Sequence, residues 1–119
     1  MTLRVDTVTI DAHDPSTLGR WWADALDYRV TDDDDPDEIA IGPADGAPGT
    51  TLLFVRVPDQ KTVKNRIHLD LRPDDRDAEV ARLESMGANR IDIGQTGDET
   101  WVVLADPEGN ELCVLRSGN

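Results

Sequence analysis

Hydrophobic and polar positions alternate strictly over residues 66–72, where Ile67, Leu69 and Leu71 fall on one side and Arg66, His68, Asp70 and Arg72 on the other. A period of two predicts a strand with one covered face and one polar face. A different period appears over residues 18–26. There Leu18, Trp21, Trp22, Ala25 and Leu26 recur as the apolar stripe of a helix lying on a sheet. Asp14 followed by Pro15 predicts where that helix starts, because the Asp side chain caps free N–H groups and Pro at the first position loses no hydrogen bond.

The remaining segments fall into place around these two. A β-branched opening over residues 3–10 predicts a strand that ends at residues 11–14. After the helix come a short strand at residues 28–30, another at 38–42, a loop at 43–49 and a strand at 50–57. Past the alternating segment, residues 73–75 lead into a second helix with the stripe Val80, Leu83 and Met86, and Gly87 is placed to end it. Ile91 and Ile93 suggest a short strand, residues 101–105 a clear one, 106–110 a turn and 111–115 the last strand.

The order strand, helix, three strands thus occurs twice. It predicts one α+β domain over residues 1–119, built from βαβββ half-repeats of about 1–60 and 61–119. Each half leaves one sheet face without a helix, so the expectation is two curved mixed sheets around a cleft that takes a small ligand.

Composition narrows the ligand. The net charge of −13 leaves no basic surface for phosphates or anionic lipid, so neither nucleic acid nor a membrane is an expected partner. An acidic cleft would favour a cationic ligand. Lys61 and Lys64 are the only lysines among twelve basic residues, a bias that fits either a GC-rich genome or a salty cytoplasm. No apolar run approaches the roughly 20 residues of a membrane span, and the single cysteine, Cys113, forms no internal disulfide. The expected compartment is the cytoplasm.

Several residues invite chemistry. His68, on the polar side of its strand, is a hydrogen-bond partner or general base for a cleft ligand, or is simply satisfied by Asp70 or Arg66. Cys113 points opposite to Leu112 and Val114. It is either a nucleophile that needs His68 beside it or a small buried hydrophobe. Trp101 and Phe54 either stack on a flat ligand or pack in the core. The acidic run at residues 32–38 lacks the spacing of a calcium loop and reads as a solvated turn. His13 reads as a loop residue beside a helix cap, and Gly42, Gly46 and Gly49 form no phosphate cradle.

Three segments together resemble the vicinal oxygen chelate superfamily, the glyoxalase-like domains that include glyoxalases and bleomycin-resistance proteins. They are residues 14–26 with the adjacent Trp21 and Trp22, residues 65–71, and residues 104–112 with an Asp-Pro-Glu-Gly-Asn turn before the final strand. The resemblance implies the fold already read from the pattern, and a homodimer. In metal-dependent relatives four donors converge on one ion, and matching by motif puts those positions at Thr7, about Phe54, His68 and Cys113. Only His68 is of the expected type, so no metal and no other cofactor is expected. Thr7, Phe54, Arg66, His68, Asp70, Trp101 and Cys113 are then the expected ligand-lining residues. The leading expectation is metal-independent binding of a small organic molecule, as in resistance or natural-product proteins. The alternative is a lyase or isomerase with His68 as its catalytic residue, with a weak metal site at His68, Glu111 and Cys113.

Overall fold

The computed structural model describes residues 2–91 and 99–118. The chain divides into two compact units, Met1–Gln60 and Lys61–Asn119. Each contains one strand, one helix and three more strands in that order, the βαβββ repeat expected from the pattern.

In the first unit β1 (Thr7–Ala12), α1 (Pro15–Leu26), β2 (Arg29–Asp32), β3 (Glu38–Gly42) and β4 (Thr51–Arg56) form a sheet of order β1-β4-β3-β2. β1 runs parallel to β4 and the other pairs are antiparallel. The first strand starts at Thr7 rather than at Leu3. Its ladder begins where Thr7 meets Thr51 at the start of β4, and Leu3 and Val5 stay exposed ahead of it. Asp14 caps α1 as its sequence context requires, accepting from the Thr17 backbone N–H at 3.2 Å and from the Thr17 hydroxyl at 2.9 Å.

Leu18, Trp22, Ile39, Ile41, Leu52 and Phe54 are buried. Gly19 lets α1 lie close on the sheet: a Cβ there would collide with Ile39 Cγ2 and stand 3.2 Å from Phe54 Cδ1. Trp21 and Trp22, on different sides of the helix, are both buried and meet edge to face at 5.3 Å.

In the second unit β5 (Leu69–Leu71), α2 (Arg76–Ser85), β6 (Asn89–Arg90), β7 (Val102–Ala105) and β8 (Glu111–Val114) form a sheet of order β5-β8-β7-β6, with β5 parallel to β8. The short strand suggested at Ile91 and Ile93 lies earlier, at Asn89–Arg90. β6 ends at Arg90, the Ile91 N–H donates to the Val103 carbonyl, and Ile93 lies outside the described residues. Val80 and Leu83 form the buried stripe of α2. The turn between β7 and β8 is organised by the buried Asp106 carboxylate, which accepts from the backbone N–H groups of Glu108 and Asn110 and from the Asn110 side chain. The Asp-Pro-Glu-Gly-Asn motif is therefore a folding element: it aims β8.

The fifth strand is shorter than the alternation predicts. Asn65 explains why. Its side-chain oxygen accepts the Glu111 backbone N–H at 3.0 Å, and its amide nitrogen donates to the carbonyl of Ile67 at 2.6 Å. A side-chain amide thus takes the bond that a strand residue would have made to the start of β8. Arg66, Ile67 and His68 lie outside the strand as a result, and Ile67 is 78% exposed instead of covered.

Candidate functional site

Pairing register decides which side chains of the second unit share a face. Asp70 stands opposite Cys113, Cys113 opposite Val103, and Glu111 opposite Ala105. Directly paired residues project to the same side, so Asp70, Val103, Ala105, Glu111 and Cys113 line one face. Leu69, Leu71, Leu104, Leu112 and Val114 line the other.

His68, just ahead of β5, joins the polar face through Asp70, with its Nε2 3.1 Å from Asp70 Oδ1. One donor atom from each of His68, Asp70 and Cys113 lies within 4.8 Å of the others. His68 and Asp70 are about half exposed while Cys113 is nearly covered. Burial pushes the Cys113 thiol up, and the Asp70 charge and hydrogen bond push it further, with Lys64 partly opposing them. The thiol therefore stays protonated at neutral pH and donates to Asp70. The arrangement is the reverse of an activated cysteine, which needs a cation beside it.

Glu111 belongs to a different cluster on the same face. Lys61 Nζ lies 3.0 Å from one carboxylate oxygen and Lys64 Nζ 2.9 Å from the other. Burial alone would raise the Glu111 pKa, but hydrogen bonds and charge from the two lysines outweigh it and hold the carboxyl below its ordinary value. Glu111 is thus not the partner of His68 and Cys113. Asp70, directly across from Cys113, takes the place expected for it.

Of the expected lining residues, the structure brings His68, Asp70 and Cys113 together. Arg66 is exposed in the segment before β5, and Trp101 is 42% exposed immediately before β7. Thr7 opens β1 in the first unit, with its hydroxyl donating to Asp6. Phe54 does not line an open face: it is fully buried beneath α1 against Gly19. The side of β4 that shares a face with Thr7 carries Leu53 and Val55 instead. A hydroxyl and two aliphatic side chains do not fit the first two positions of the superfamily's four-donor metal centre.

The first unit also holds a hollow of about 300 Å³ lined by His13, Asp37, Arg56, Val57 and Pro58. Its polar groups are turned on one another, with Arg56 bonded to Asp37 at 3.0 Å and to the His13 carbonyl at 2.9 Å.

Lys61, Lys64 and Asn65 were not among the expected site residues. The available signal was Glu111 two positions before Cys113, hence on the same strand face, in a chain whose only lysines lie just ahead of β5.

A family model described as a glyoxalase-like domain matches residues 7–115. The chain belongs to this glyoxalase-like family. No curated protein matches it in sequence. Among solved structures it is similar to a glyoxalase/bleomycin resistance protein/dioxygenase family enzyme from Burkholderia phytofirmans PsJN, with TM-score 0.74, 16% identity and coverage of 94% of this chain and 97% of that one. It is also similar to TnmS3, an antibiotic-binding protein from Streptomyces sp. CB03234, with TM-score 0.66, 20% identity and 99% of each chain covered. A bleomycin-binding protein from Streptomyces verticillus, solved with copper(II)-bleomycin, gives TM-score 0.64 and 16% identity, again over 99% of each chain. At these identities the likeness establishes the glyoxalase-like fold. Among the described residues no helix is long and apolar enough to cross a membrane.

Proposed function

We propose that this glyoxalase-like chain binds a small organic molecule on the Asp70–Cys113–Val103 face of its second half-repeat, without a metal, and acts by holding it. The observation that carries this reading is the junction at Asp70, which is bonded to His68 and faces a protonated Cys113. Imidazole and carboxylate there are half exposed, and the covered thiol stands beside the buried Val103 and Ala105. A few fixed polar groups against apolar walls make the usual chemistry of a small-molecule site. The exposed Arg66 and Trp101 complete the lining in this reading. The bleomycin-binding and antibiotic-binding proteins of the same fold support it. The reading includes a homodimer, which sedimentation measures directly. A thermal-shift screen of small organic molecules, run with and without a chelator, tests it: stabilising ligands whose effect survives chelation support metal-free binding, and effects abolished by the chelator refute it.

One observation favours a second reading, a lyase or isomerase. Asp70, 3.1 Å from Nε2, orients the His68 imidazole and leaves Nδ1 as the nitrogen that would meet a ligand proton in that reading. The His68, Asp70 and Cys113 donors form the set that would hold a divalent ion in that reading. Zinc titration of the wild type and of Asp70→Asn separates the two readings. Stoichiometric zinc lost in the variant supports the second, and no stoichiometric zinc supports the first.

A further inference from the structure

The edge strands of the two sheets are not alike. β1 and β2 bound the first sheet, β5 and β6 the second. β5 spans three residues and β6 two, too short to offer another chain much backbone. β2 is protected differently: its register shifts between Val30 and Asp32, and the acidic run at residues 32–35 follows, so a bulge and like charge both discourage pairing. β1 has neither device. It spans six residues in unbroken register with β4, and among the described residues no strand pairs with its outer side. The segment just ahead of it, Leu3-Arg4-Val5-Asp6, leaves Leu3 86% and Val5 74% exposed. A positive and a negative side chain flank Val5 at equal spacing.

We infer that two copies of the chain pair antiparallel through residues 3–7, with Val5 opposite its own copy on a two-fold axis. The pairing rests on the homodimer included in the reading above and gives it a surface. An antiparallel ladder alternates between hydrogen-bonded and non-bonded pairs, so a two-fold axis relating the strands must pass through a residue and its own copy. Centred on Arg4 or on Asp6, that ladder sets like charges against each other on the axis. Centred on Val5, it sets valine on valine, Arg4 of each copy opposite Asp6 of the other, and Leu3 opposite Thr7. The segment is therefore self-complementary in one register and repelled from the two nearest alternatives that keep the same symmetry. Asp6 accepts from the Thr7 hydroxyl through Oδ2, which leaves Oδ1 for the arginine. Strand parity puts Leu3 and Val5 on the Thr7 side, where β4 carries Leu53 and Val55. Two exposed aliphatic side chains from each copy thus gather on one side of the joined sheet, and the opposite charges pair on the other.

Sedimentation equilibrium of the intact chain and its charge variants tests this surface. The expected result is a dimer that Asp6→Arg and Arg4→Asp each weaken by about tenfold or more, because either change sets like charges opposite each other twice per dimer. The double variant Arg4→Asp/Asp6→Arg should recover the wild-type affinity, and an equimolar mixture of the two single variants should pair. Val5→Cys should join two copies by a disulfide under mild oxidation, since directly opposed residues bring their Cα atoms within the roughly 4.4–6.8 Å that a disulfide spans. All three positions lie ahead of the β1 ladder, and an unchanged thermal midpoint shows that the variants fold. A dimer indifferent to both single charge variants would overturn this surface and leave the homodimer standing. Charge-sensitive pairing without the Val5→Cys cross-link would overturn the register. Assemblies that grow beyond two copies would reveal a head-to-tail edge contact and overturn the two-fold pairing. A wild-type chain that stays monomeric at every concentration would overturn the surface and the homodimer together, while small-molecule binding is read separately by amide shifts.

Discussion

Asp70 stands directly across from Cys113 in the parallel ladder of β5 and β8, where burial first and the Asp70 carboxylate second push the thiol pKa up. Burial is the larger cause and the Asp70 charge the next, so removing that charge should lower the thiol pKa without restoring its ordinary value. Thiolate absorbance followed against pH should show Cys113 ionising above the usual 9.0 in the wild type, and earlier in Asp70→Asn. The linkage sign follows. A thiol pKa raised by folding gives stability that is complete below the unfolded-state pKa and is lost as pH rises through the folded one. Unfolding free energy should therefore fall on the alkaline side, less steeply in Asp70→Asn.

The opposite sign holds for Glu111. Its pKa is depressed in the folded chain, so its contribution is present above the ordinary carboxylate value and is lost as pH falls through the folded one. Glu111→Gln should flatten the acid limb of the stability profile. It should also cost about 1–3 kcal/mol at neutral pH, because two ammonium groups lose their shared partner. Urea unfolding across pH measures both effects.

Gly19→Ala should destabilise the first half-repeat by up to about 2 kcal/mol. The new methyl presses on Ile39 and Phe54, and such overpacking costs about 1–3 kcal/mol against the roughly 1 kcal/mol that Ala gains over Gly in a helix. Urea unfolding again reads the difference, and a stabilised variant would show that α1 can lift from the sheet.

Asp106→Ala removes a buried acceptor that serves two backbone N–H groups and the Asn110 side chain. The expected cost is about 2–4 kcal/mol, with amide protection lost first at residues 106–111 in hydrogen exchange.

The architecture was legible because each half-repeat writes its elements in local code: the Asp14–Pro15 start of α1, the stripe Leu18–Trp22, and the turn that Asp106 organises. What the pattern misplaced were pairings that a side chain or a neighbouring strand decides. Residues 66–68 alternate like a strand, yet the Asn65 amide occupies the Glu111 backbone N–H that would have extended β5. Phe54 was expected on the open face because motif spacing alone does not fix parity, whereas the β1–β4 register puts Leu53 and Val55 on the Thr7 side. His68 and Cys113 were found from strand parity. The choice between Asp70 and Glu111 as their companion was not, because it depends on where the two lysines fold back.

The central claim is that the His68–Asp70–Cys113 face of the second half-repeat holds a small molecule. It is tested most directly by mapping the backbone amide shifts caused by the best hit of a small-molecule screen on metal-free protein, in the wild type and in His68→Ala. The account predicts shifts concentrated at residues 68–70, 103–105 and 111–113, with affinity falling about tenfold, or about 1.4 kcal/mol, in the variant. A ligand whose shifts fall on the first half-repeat, or whose affinity is indifferent to His68→Ala, would contradict it.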